Sequence, residues 1–110
     1  MEYIEIKEYD TLRITMEYQD TDGVPLPLTN TLVTSTMQSI NYAVPIKLNI
    51  EQLDILAGNF LLTADIAHIM PTDYRIDVLF EDVTTGTRIA SETFGVKVIH
   101  SVTIPLGVTQ

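Results

Sequence analysis

Cysteine and tryptophan are both missing from this chain. Without cysteine the fold is closed by packing alone, and disulfides, thiol chemistry and thiolate metal sites are excluded. That composition is compatible with a reducing compartment. With no tryptophan and aromatics at only 7% of residues, there is no obvious platform on which a sugar or an unpaired nucleobase would stack. Positive charge is scarce too: six Lys and Arg stand against fifteen Asp and Glu, a formal net charge of −9. A field of that sign repels polyanions, so no nucleic acid partner is expected. The acids are scattered rather than run together, which describes a solvated surface. No apolar window approaches the roughly 20 residues of a membrane-spanning helix, so no membrane partner is expected. The opening Met-Glu-Tyr-Ile-Glu-Ile-Lys lacks the basic and apolar blocks of an export signal. Synthesis in the cytoplasm, with no signal peptide, is therefore expected.

What is present is enough for one core. The chain has 110 residues, of which 45% are hydrophobic, the size and composition of a single globular domain spanning 1–110. Its dominant signal has period two. Leu12, Ile14, Met16 and Tyr18 alternate with Arg13, Thr15, Glu17 and Gln19. Successive strand side chains point to opposite faces, so this is a half-buried antiparallel strand. Val44, Ile46, Leu48 and Ile50 repeat the pattern, as do Tyr74, Ile76, Val78 and Phe80, and then Phe94, Val96 and Val98. Such alternation predicts sheets with one dry and one wet face.

Weaker signals complete the set. Glu2 to Glu8 reads as a first strand with Ile4 and Ile6 inward. Thr31 to Ser39 suits a strand by its Thr and Val content, with Val33 and Met37 as a thin inward set. Phe60 to Thr63 is short and apolar, and Arg88 to Ser91 is expected to pair with Phe94 to His100. Asp20-Thr21-Asp22-Gly23 is a turn that closes the Leu12 strand, and Thr84-Thr85-Gly86-Thr87 separates the Tyr74 strand from Arg88 and reads as a hairpin. Pro25 and Pro27 hold the intervening link extended and out of a central ladder. Helix is limited to one or two short turns, at Glu51 to Ala57 and at Ala64 to Ile69. The expected fold is all-β: a two-sheet antiparallel, immunoglobulin-like sandwich of about seven strands. A closed barrel buries alternate residues equally well and is the alternative.

Residues that carry chemistry do not gather into a motif. Asp20-Thr21-Asp22-Gly23 resembles the start of a calcium loop, but Val24 and Pro25 stand where an acid and a glycine are required, so it is read as a polar turn. His68 and His100 have no second histidine at ligand spacing. His100 continues the inward parity of the last strand and is read as its end. Asp77 and Glu81 share an outward face beside Asp73 and Asp82, as a solvated strand surface usually does. There is no Gly-x-Ser-x-Gly elbow, phosphate loop or His-Glu-x-x-His helix. An enzyme is not expected, nor a metal, nor a cofactor.

Two stretches read together carry a likeness. One is Tyr9-Asp10-Thr11-Leu12-Arg13-Ile14-Thr15-Met16, followed by the Asp-Gly turn and Val24-Pro25-Leu26-Pro27-Leu28-Thr29. The other is Met70-Pro71-Thr72-Asp73-Tyr74-Arg75-Ile76-Asp77-Val78, then Thr85-Gly86-Thr87, Gly95-Val96-Lys97-Val98 and Val102-Thr103. In order and spacing, from Tyr9 to Thr103, they resemble the small β-sandwich of tailed-phage tail and baseplate proteins, notably the N-terminal domain of upper-baseplate proteins. Thr72 departs from the glycine usual before Asp-Tyr, and Phe60-Leu61-Leu62 from a more polar strand. The resemblance implies a virion structural protein of tail or baseplate, bound to other virion proteins, in a homo-oligomer, with no catalytic residues.

Physics separately calls for partners. An open sandwich leaves edge strands unpaired. Tyr3 in the first strand, and Ile104, Leu106 and Val108 in the closing segment, are the candidate partner-docking residues. The alternative function is a binding module for a host-surface glycan or protein. A polysaccharide-cleaving enzyme using Asp77 and Glu81 is the third reading.

Overall fold

The computed structural model describes residues 2–41, 45–65 and 68–106. Among them are nine strands and no helix: β1 (Tyr3–Lys7), β2 (Arg13–Glu17), β3 (Thr31–Ser39), β4 (Ile46–Lys47), β5 (Asn49–Asp54), β6 (Asn59–Thr63), β7 (Asp73–Asp82), β8 (Arg88–Ala90) and β9 (Phe94–Ile99). They form two sheets. The larger has six strands in the order β1-β9-β7-β3-β4, with β8 also on β7; the smaller has three in the order β2-β6-β5. Every pair is antiparallel except β1 with β9, which runs parallel. The chain is thus an all-β sandwich.

The inward sets follow the alternation. Tyr74, Ile76, Val78 and Phe80 of β7 are all buried, as are Val96 and Val98 of β9. From the smaller sheet, Phe60 and Leu62 meet them, and Phe60 stands edge-on to Phe80 with ring centroids 5.8 Å apart. Tyr18 stacks on Phe80 at 4.1 Å. On β3 the inward face includes Ser35 and Ser39, both buried. A buried hydroxyl costs stability unless it is bonded, and the Ser35 hydroxyl donates to the Asp77 carbonyl at 2.7 Å.

Several expectations change. The stretch Glu51 to Ala57 is strand and turn rather than helix. Its first half is held by the β5–β6 ladder, from Asn49↔Thr63 to Asp54↔Asn59, and long-range pairing overrides the weak helical pattern. The Ala64 to Ile69 turn falls partly outside the described residues, and so does Val44. β8 pairs with β7 rather than with β9. That is the hairpin expected at Thr84–Thr87, whose turn is closed by the Asp82 amide donating to the Thr87 carbonyl. Past β8, the Ser91 amide donates to the Val78 carbonyl and its hydroxyl accepts from the Val78 amide. β9 then takes the other half of the same β7 edge, from Ile76↔Phe94 to Asp73↔Lys97. His100 does not continue the inward face. It lies past the end of β9, with its side chain 87% exposed.

Candidate functional site

Along one long side the sandwich is closed by its own chain. β4 belongs to the larger sheet and β5 to the smaller, and Leu48 between them is buried while its amide donates to the Ser35 carbonyl at 3.0 Å. A single run of backbone therefore turns the corner from one sheet to the other. The opposite side has no such crossing over most of its length. There β1 and β8 face the outer edge of β2, and a groove lies between them.

The groove follows from the register. Ile4 and Ile6 pair with Val96 and Val98 and share their inward face. The larger sheet is five strands across at this level and the smaller only three, so β2 does not cover β1. Ile4 remains 38% exposed, and Ile14, Met16 and Phe94 are only half-buried. These four line a recess of about 490 Å³. A second recess, about 530 Å³, continues it past Phe80 and Ile89. The two share Met16, Ser91 and Glu92, so they form one channel along β2. Its rim carries Glu2, Glu17, Asp20 and Glu92.

Of the expected docking residues, Tyr3 belongs to β1, the edge strand on this side. The Tyr3 ring rests flat on Gly95 on the outer face, where a Cβ would overlap it, and Tyr3 stays 55% exposed. Ile104 is half-buried, whereas Val102 and Leu106 are fully exposed at 98% and 103%. Val108 lies outside the described residues.

One cluster had no counterpart in the sequence reading. Glu8, in the crossover from β1 to β2, accepts from the Ser101 amide at 2.9 Å and bonds His68 Nε2 at 2.8 Å. His100 Nδ1 stands 3.8 Å from the same carboxylate. The Ser101 amide, then the His68 bond, hold the Glu8 carboxyl below its ordinary value, and partial desolvation opposes them. Tyr9 lies against the His68 ring at 4.9 Å. Residue 8, residue 68 and the pair 100–101 are far apart in the chain, so no local pattern announces the cluster. Among the described residues no group of three or more His, Asp or Glu has the arrangement to hold a metal ion. The cluster is a clasp that fastens the start of the closing segment.

The other chemical candidates separate. Asp20 turns its carboxylate to the amides of Asp22 and Val24, at 2.9 and 3.0 Å, with Gly23 at φ 81°, as a polar turn requires. Glu81 is bonded by Arg88 Nε at 2.7 Å. Asp77 lies four residues from it on the same strand, about 13 Å away at the rise of a β-strand. That exceeds the roughly 5–9.5 Å between the carboxyls of glycosidases.

Fold and groove together define the class: a β-sandwich with one sealed side and one open side. No protein-family model matches the chain, and a search of curated proteins returns no match either.

Proposed function

We propose that the chain is a non-enzymatic assembly domain, which joins neighbouring protein chains as a structural or adaptor piece of a phage tail or baseplate. The observation that carries the assembly role is the unequal width of the two sheets, which leaves the β2 edge unpaired beside apolar residues facing a groove. Monomers rarely keep such a feature uncovered, since an open edge with apolar neighbours recruits further strands. The phage setting rests on the resemblance running from Tyr9 to Thr103, whose members serve as virion parts. The chain then acts in the particle, with other virion proteins as partners.

Mass spectrometry of purified particles tests the setting, and light scattering tests the assembly role. The protein should be found in stoichiometric amounts in particles and should associate with itself or with a neighbouring virion protein. A strict monomer that is also absent from particles would end this reading.

A further inference from the structure

The chain guards one of its open edges and leaves another bare. At the end of β1 the Lys7 amide donates to the Asp10 carboxylate at 2.7 Å, and the Lys7 carbonyl accepts from the Asp10 amide at 2.9 Å. That end of the edge is filled. β2 has no such cover. Main-chain groups of successive residues point to alternate sides of a strand, and the Tyr18 amide donates to the Gly58 carbonyl on the side of β6. Ile14 and Met16 share that parity and bond within the sheet, which turns the N–H and C=O of Arg13, Thr15 and Glu17 toward the groove. No described element pairs with that side of β2. We infer that the groove binds an extended, cationic segment of a different protein as an antiparallel strand added to β2, which deepens the assembly reading above and rests on it.

Charge selects the occupant. The residues lining the two recesses include Glu2, Glu17, Asp20 and Glu92 and no Lys, Arg or His. A segment with Lys or Arg at its outward positions is attracted by these acids, whereas an acidic one is repelled. The chain holds no free segment of that kind. Its six cations, Lys7, Arg13, Lys47, Arg75, Arg88 and Lys97, all lie within its own strands. Space excludes a second copy laid edge to edge on β2. With β4 and β5 joined at the sealed corner, the larger sheet runs past β2 by about two strand widths, roughly 10 Å. One added strand fits over this shelf. A whole second sandwich would carry its own overhanging β1 and β9 into the same place.

Register fixes the sequence pattern of the segment. In an antiparallel pair, residues directly opposite each other share a face. Positions opposite Ile14 and Met16 turn inward onto Ile4 and Phe94 and are apolar. The position opposite Glu17 turns outward and is Lys or Arg. Positions opposite Arg13, Thr15 and Glu17 exchange main-chain bonds with β2, so none of them is proline. The channel borders β2 from Ile14 to Gln19, roughly 20 Å of extended chain.

Three capped peptides test this on the full chain. They are Lys-Val-Lys-Val-Thr-Val-Thr, the acidic Glu-Val-Glu-Val-Thr-Val-Thr, and Lys-Val-Lys-Val-Pro-Val-Thr, which lacks the N–H opposite Thr15. Binding and amide exchange are followed by nuclear magnetic resonance. The Lys peptide should bind and slow exchange at Arg13, Thr15 and Glu17. The acidic peptide, and the Lys peptide on a chain carrying Glu17→Lys and Glu92→Lys, should bind about tenfold more weakly. The proline peptide should also bind less tightly than its parent. Equal binding of the Lys peptide and either control overturns the inference, as does binding that leaves the three β2 amides exchanging freely. Failure of all three peptides to bind overturns it too. Each of these results leaves the assembly reading standing on another surface, and that reading falls only if the protein is also a strict monomer absent from purified particles.

Discussion

The two long sides of the sandwich are built from similar residues and end in opposite states. On the sealed side, Leu48 sits at a corner where β4 becomes β5, and it is buried at 3% exposure. On the open side, Ile4, Ile14 and Met16 have comparable size and polarity but stay partly wet. Hydrophobicity does not separate them; covalent continuity does. Where the backbone itself passes between sheets, it holds them close enough to squeeze water out. Where it does not, the sheets part and the inward residues wait for a cover.

This contrast can be broken most sharply at the sealed side. Leu48→Ala should cost about 2–5 kcal/mol, the range for a buried leucine whose site collapses only partly. Met16→Ala should cost about 1 kcal/mol, since a half-buried side chain forfeits about half of its transfer term. Urea denaturation of the two variants gives the comparison directly. Equal costs would show that the two sides do not differ as described.

Gly58→Ala probes the hairpin tip that joins β5 to β6. Its φ of 75° is left-handed, which costs other residues about 1–2 kcal/mol. A Cβ there would also overlap the Leu26 carbonyl oxygen, so the loss in thermal stability should exceed that range. Tyr3→Ala should be milder, about 1 kcal/mol or less, because the ring covers a glycine at an exposed edge. Its effect should concentrate on β1, read as faster amide exchange from Ile4 to Lys7 with β3 and β7 unchanged. Uniform loss of protection would show that the β1 edge is not a separable part of the open side.

The smallest effect is at the one end where the open side is fastened. Glu8 has a folded-state pKa below its ordinary value, so its contribution is complete above about pH 4.3. That contribution fades as pH falls through the lower, folded value, because the unfolded chain takes up the proton first. Glu8→Gln should therefore lower stability slightly at neutral pH and flatten the acid limb of the stability curve. An unchanged acid limb would mean that the Ser101 and His68 bonds do not set this titration.

Legibility divided along the same line as the energetics. Period-two runs in Leu12 to Gln19, Tyr74 to Phe80 and Phe94 to Val98 named inward residues that are buried or half-buried in the fold. The turns at Asp20 and Thr84 were also legible, because a carboxylate bonding its own following amides is a local event. The Glu51 to Ala57 segment misled, since a weak helical spacing lost to the ladder with β6. The groove itself left no local signal, because it lies between strands that are distant in the sequence.

Which face each strand buries is written residue by residue, because neighbouring side chains in an extended chain must point opposite ways. Which strand lies beside which is not, because pairing depends on residues dozens of positions apart meeting in space. The β7–β8 hairpin is the exception, since the turn at Thr84 is local; that β9 also lies on β7, and β1 on β9, is decided only by the assembled sheet. In the same way, only assembly of the whole fold brings Ser101 and His68 onto Glu8 and leaves the smaller sheet too narrow to cover β1.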